Sequence, residues 1–110
     1  MSSPKKRDDG DTSVITRPAV KSKPKLEKPK LYKVLLHNDN YTPMEFVVLI
    51  LQQVFHKSEA DAVAIMLHAH THQYAVAGVF SFEIAETKVA ETMALADKAQ
   101  FPLLCTMEPE

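Results

Sequence analysis

The chain changes character at Leu31, and that break sets how much of it can fold. Four of its seven prolines (Pro4, Pro18, Pro24 and Pro29) lie in the first thirty residues, with nine of its thirteen Lys and Arg. Only Asp8, Asp9, Asp11 and Glu27 oppose them, so residues 1–30 carry a formal charge of +5. The stretch has no aromatic residue and no sustained apolar period, and cannot bury enough surface to offset the entropy of ordering it. Residues 1–30 are therefore predicted to be a disordered, flexible basic tail, and residues 31–110 a single domain.

The domain itself is acidic, with four basic and ten acidic side chains for a formal charge of −6. That balance argues against nucleic acid as a partner. Cys105 is the sole cysteine, so an internal disulfide is impossible and nothing points to an oxidising compartment. No apolar run approaches the roughly twenty residues that span a bilayer. The N-terminus lacks the apolar segment of a secretory signal, and its early aspartates argue against a transit peptide. A cytoplasmic protein without membrane attachment is expected.

Leu31 to Leu36 is short, apolar and β-friendly, and His37-Asn38-Asp39-Asn40 closes it with turn-forming residues. Thr42-Pro43-Met44-Glu45 then reads as a helix start, with Thr42 as cap, Pro43 in the first turn and Glu45 completing a capping box. Met44, Val47, Val48, Leu51, Val54 and Phe55 follow one helical face, while Phe46, Leu49 and Ile50 fill other sides. This pattern predicts a helix buried between layers. Ser58 starts a second helix whose apolar stripe is Val63, Met66, Leu67 and His70. Tyr74 to Phe82 reads as a strand interrupted by Gly78. Glu83 to Gln100 reads as a helix buried along Ala85, Val89, Met93 and Ala96, and Phe101 to Thr106 as a last short strand. The order is β-α-α-β-α-β, an α+β fold with three helices packed on a small antiparallel sheet.

Two places put polar groups where the pattern expects loop or core: Asn38-Asp39-Asn40 after the first strand, and His70 on the second helix's stripe. A carboxylate, an amide oxygen and an imidazole that converged would suit a primary ammonium, which needs acceptors and a compensating charge. Leu36, Met44, Val47, Met66 and Leu103 would wall the space beside it, giving a pocket for an α-amino group and its first side chain. Taken alone, each feature also has a plain structural reading. Asn and Asp between strand and helix form turns, and a histidine on an apolar stripe can be a satisfied core residue. Periodicity does not bring the two places together.

Three segments carry a resemblance: Leu31 to Phe46 (LYKVLLHNDNYTPMEF), Ala85 to Ala90 (AETKVA) and Pro102 to Thr106 (PLLCT). With Gly78-Val79-Phe80 between them, they resemble the hallmark segments of ClpS, the adaptor of the ClpA–ClpP AAA+ protease. The resemblance implies a monomeric adaptor that is not an enzyme and uses no cofactor. It would bind N-degrons, proteins whose free N-terminus begins with Leu, Phe, Tyr or Trp, and deliver them to the N-terminal domain of the unfoldase. It also implies that Asn38, Asp39 and His70 receive the α-amino group, and that Met44 rejects β-branched side chains. Leu36, Thr42, Val47, Met66 and Leu103 would line the pocket, and Glu83 and Lys88 would dock the protease. The tail would take part in handing the substrate over.

This chain departs from the family pattern in three places. Asn40 stands where a second aspartate is usual, Ala69 where a valine commonly narrows the pocket, and Thr71-His72-Gln73-Tyr74 where a glycine-containing turn is frequent. These departures predict lower affinity or altered selectivity. They also leave open a docking module that binds the unfoldase and inhibits other substrates without carrying degrons. Two rival chemistries are weak. His68, His70 and His72 cannot converge on a metal while the helix continues, since i+2 points nearly opposite. Cys105 in an apolar strand reads as a packed thiol, and a chain with only Gly10 and Gly78 offers no glycine-rich oxyanion or phosphate loop.

Overall fold

The computed structural model describes residues 28–110. The predicted tail, but for its last three residues, lies outside the described residues. Six elements follow in the expected order: β1 (Leu31–His37), α1 (Met44–Gln53), α2 (Glu59–His72), β2 (Tyr74–Ser81), α3 (Phe82–Ala99) and β3 (Leu104–Pro109). β1 is the central strand and pairs antiparallel with both neighbours, giving the order β2-β1-β3. Val34 and Leu36 point from β1 into the core, where Ile50, Leu51, Val54, Phe55, Ala85, Leu103 and Cys105 meet them. α3 packs across all three strands, while α2 packs between α1 and β2.

The interruption expected at Gly78 is a β-bulge. Val34 pairs with Gly78 and Leu35 with Val76, which leaves Ala77 as the extra residue. A Cβ on Gly78 would stand 2.5 Å from Cζ of Phe80, so the missing side chain is what lets that ring lie over the strand.

Helix α1 corrects two expectations. Thr42 does not cap it: the cap position is Pro43, whose carbonyl accepts from the N–H groups of Phe46 (3.1 Å) and Val47 (3.3 Å). The Thr42 hydroxyl is instead taken up by Asp39. Nor is α1 buried all round, because Met44 and Leu49 remain 44% and 43% exposed. Ser58 does cap α2, accepting from the Asp61 N–H at 3.1 Å. The buried line of α2, however, is Ala62 and Ala69, and Leu67 and His70 are exposed. On α3 the fully buried positions are Ala85, Thr92 and Ala96, with Val89 and Met93 only half-buried. β3 starts later than expected and runs to Pro109, because Phe101 to Leu103 serve as a connection.

A left-handed residue follows each helix: the caps Gln73 and Gln100 of α2 and α3 themselves, and His56 beyond the right-handed cap Val54 of α1. His56, Gln73 and Gln100 take positive φ of 58°, 77° and 62°. This left-handed turn is usually given to glycine. After α1 the Lys57 N–H closes back on the Leu51 carbonyl at 3.0 Å, and the Lys88 ammonium donates to the Val54 carbonyl at 2.6 Å.

Candidate functional site

The first loop is built around one carboxylate. Oδ1 of Asp39 accepts from the N–H groups of Tyr41 and Thr42, both at 2.7 Å, and Oδ2 accepts from the Thr42 hydroxyl at 2.8 Å. Burial pushes the Asp39 carboxyl up, but these three bonds together outweigh it and hold the group below its ordinary value. Asp39 is therefore ionised at neutral pH. A carboxylate offers about four acceptor positions, so three internal bonds still leave capacity on Oδ2. The turn-forming and ligand-binding readings of Asp39 do not exclude each other.

Asn38 sits where β1 gives way to this loop, and its N–H donates to the Gln73 carbonyl at 2.7 Å. That bond ties the loop to the C-terminal end of α2, whose last turn carries His70. The two polar places that the sequence left apart thus share one cavity of about 210 Å³. Asn38, Asp39, Thr42 and His70 line it together with the apolar Leu36, Met44, Val47, Met66, Ala69 and Leu103. Every residue expected at the amine end or the apolar wall reaches it. His70 is exposed at the cavity's edge, so it is not a core histidine. Ala69 is 5% exposed and contributes only a methyl group to the wall.

Two lining residues were not singled out as binding positions. Asn40 enters the sequence reading as part of the polar loop and as a departure from the family pattern, not as an amine acceptor. His37 ends β1, and one of its ring nitrogens shares a 2.8 Å hydrogen bond with the Thr106 hydroxyl, which clamps β1 to β3 beside the cavity. Its signal was simply its place after an apolar strand, which any turn residue shares.

The expected docking residues lie away from the cavity. Glu83 is exposed in the first turn of α3, flanked by Phe82 and Ile84 at 48% and 50% exposure. Lys88 is half-buried and engaged with the end of α1. The other histidines of α2, His68 and His72, stack on each other with centroids 4.1 Å apart. Among the described residues no three His, Cys, Asp or Glu form a metal-holding group. The Cys105 thiol is pushed up to about 11 by burial, the Thr92 hydroxyl easing it only slightly, so it is no nucleophile at neutral pH. Among the described residues no helix is long and apolar enough to cross a membrane.

Chemically, the cavity lining combines hydrogen-bond acceptors and a fixed negative charge with apolar walls. The C-terminal end of α2 adds its own partial negative charge. Such a lining is chemically suited to an alkylammonium with a large apolar group attached near it.

Comparisons with known proteins agree on one family. The family model of the ATP-dependent Clp protease adaptor protein ClpS matches residues 27–106. The ATP-dependent Clp protease adapter protein ClpS of Myxococcus xanthus is 59% identical over 100 residues, covering 91% of this chain and 92% of that protein. That of Parvibaculum lavamentivorans is 50% identical over 110 residues, the full length of both. The solved structure of Agrobacterium tumefaciens ClpS2 bound to L-phenylalaninamide is 49% identical, with a TM-score of 0.74 over 76% of this chain and 100% of that one.

Proposed function

The chain belongs to the ClpS family of Clp protease adaptors, and from that premise we propose how it recognises its cargo. Asn38, Asp39 and His70 receive the free α-amino group of an N-degron, and the first side chain (Leu, Phe, Tyr or Trp) enters the apolar part of the cavity. The supporting observation is that those three acceptors line one cavity together with Leu36, Val47, Met66, Ala69 and Leu103. The relative from Agrobacterium tumefaciens, solved with an amino-acid amide, supports the same reading. Met44, exposed at the rim, excludes side chains branched at Cβ.

Charge-assisted hydrogen bonds contribute about 1.5–3 kcal/mol each, and burying a Leu or Phe side chain roughly as much again. After association costs, affinity near micromolar, about 8 kcal/mol, is expected. An adaptor needs binding of that order because it must release what it delivers.

Delivery is to the N-terminal domain of a ClpA-type unfoldase in the cytoplasm. Support for docking on α3 is the exposure of Glu83 between Phe82 and Ile84, an apolar patch around a charge. The binding reading is tested by fluorescence anisotropy with labelled peptides beginning with Phe, N-acetyl-Phe and Ile. Saturable binding of the free Phe peptide alone, lost in Asp39→Ala and His70→Ala, is the expected result. Equal binding of the acetylated peptide would sink it, since acetylation removes the charge the site is built for.

A further inference from the structure

The acceptors at the amine end come from two segments distant in sequence. Asn38 and Asp39 belong to the β1–α1 loop, and His70 to the last turn of α2. They can serve one ammonium only if their oxygens and nitrogen stand within hydrogen-bond reach of the same point. The direct backbone link between the two segments is the 2.7 Å bond from the Asn38 N–H to the Gln73 carbonyl. Gln73 presents that carbonyl from a left-handed conformation, φ 77° and ψ −28°, which ends α2 one residue before β2 begins. The following residue, Tyr74, pairs with His37, the residue before Asn38. Helix end, strand pair and loop thus meet at one peptide. The Gln73 side chain is exposed, so its identity acts through the backbone alone.

We infer that Gln73 is a positioning residue for amine recognition: its left-handed turn fixes the spacing of Asn38 and Asp39 from His70. This rests on the N-degron reading proposed above. A residue at ease at positive φ preserves the spacing, whereas a β-branched one drives the backbone out of that region. The carbonyl then swings off Asn38, and the loop loses its register against α2.

The test compares the full chain with its Gln73→Gly and Gln73→Val variants. Each is titrated with L-phenylalaninamide and with 3-phenylpropanamide, which keeps ring and amide but lacks the ammonium. The affinity ratio of the two ligands reads the amine end and not the apolar wall. Gln73→Gly is expected to keep the wild-type ratio or raise it. Gln73→Val is expected to lower the ratio about tenfold, the equivalent of one charge-assisted bond, while 3-phenylpropanamide binds unchanged. A Gln73→Val chain that keeps the ratio, or loses both ligands equally, overturns the inference. Should that variant not fold, hydrogen exchange of the Asn38 amide in wild type and Gln73→Gly decides. Protection that rises with L-phenylalaninamide and not with 3-phenylpropanamide is expected, and exchange at the rate of a free amide overturns the role. If the wild type itself does not separate the two ligands, it is the N-degron reading that fails, and this inference falls with it.

Discussion

A single carboxylate shows how one residue can serve two needs. Asp39 organises its loop through three hydrogen bonds and still presents charge to the cavity. Because those bonds hold its folded pKa below the ordinary value of 3.8, the loop stability they provide is complete above that value. It is lost only as pH falls further, through the lowered folded pKa. In a His70→Gln chain, which keeps an acceptor at that position, amine binding measured by anisotropy is therefore expected to stay flat from pH 7 to about 5. A decline in that window would mean the carboxylate is less well bonded than its geometry indicates. Ala69 makes the opposite case, a residue whose importance is the space it leaves. Replacing it with Val adds two methyl carbons at a 5% exposed cavity wall, worth roughly 1–2 kcal/mol of contact with a close-fitting Leu or Phe. Peptide titrations should show about five- to thirty-fold tighter binding of such side chains. The identity of these residues was legible in the sequence, but their meeting was legible only through the family resemblance. The bond that joins the two segments is between backbone groups, Asn38 N–H and Gln73 carbonyl, and no side-chain pattern encodes it.

At the scale of elements, the sequence announced where helices begin better than where they end. Ser58 capped as expected, because its only nearby demand was the exposed end of α2. Thr42 had the same credentials and failed, since Asp39 competed for its hydroxyl and its N–H. Helix ends left no glycine to read. His56, Gln73 and Gln100 occupy the left-handed turns, while Gly78, the one glycine among the described residues, is used to admit the Phe80 ring. The apolar stripes were offset for a related reason. Alanines make the closest contacts on α2 and α3, so larger residues beside them stay half-buried. Each left-handed non-glycine residue carries an avoidable backbone cost. His56→Gly and Gln100→Gly, both outside the cavity, are expected to raise unfolding free energy by up to about 1 kcal/mol each. Denaturant melts would show it as a higher midpoint at unchanged slope. Thr92 offers a parallel case: its buried hydroxyl lies near the Cys105 thiol but makes no close hydrogen bond. Thr92→Val should therefore be neutral or stabilising by about 1 kcal/mol, whereas a satisfied hydroxyl would make it destabilising by a similar amount.

For the whole molecule, capture and delivery must be separable, because they use different surfaces of one small fold. The cavity lies between the first loop, α1 and α2, whereas Glu83 and its exposed apolar neighbours begin α3. Among the described residues none that lines the cavity precedes Leu36, and removing residues 1–27 is expected to leave affinity for a Phe peptide unchanged. The two residues expected to dock the protease are not equivalent in the fold. The Glu83 side chain is exposed, so Glu83→Ala should change stability by no more than about 0.5 kcal/mol. Lys88 instead terminates α1 through its 2.6 Å bond to the Val54 carbonyl and lies over the Phe80 ring. Its loss removes a charge-assisted bond worth about 1.5–3 kcal/mol. α1 also supplies Met44 and Val47 to the cavity, so a Lys88 variant can weaken delivery without any direct contact with the protease. The decisive experiment measures, for Glu83→Ala and Lys88→Ala, peptide affinity, thermal midpoint and degradation of a Phe-initiated reporter by a ClpA-type unfoldase and its peptidase. Glu83→Ala is expected to bind peptide normally, melt normally and fail to accelerate degradation. Lys88→Ala is expected to melt lower and lose delivery in part through stability. Normal delivery by Glu83→Ala would move the docking surface off the start of α3. A normal melt for Lys88→Ala would mean that its bond to α1 contributes nothing, and that any delivery defect there is contact with the partner.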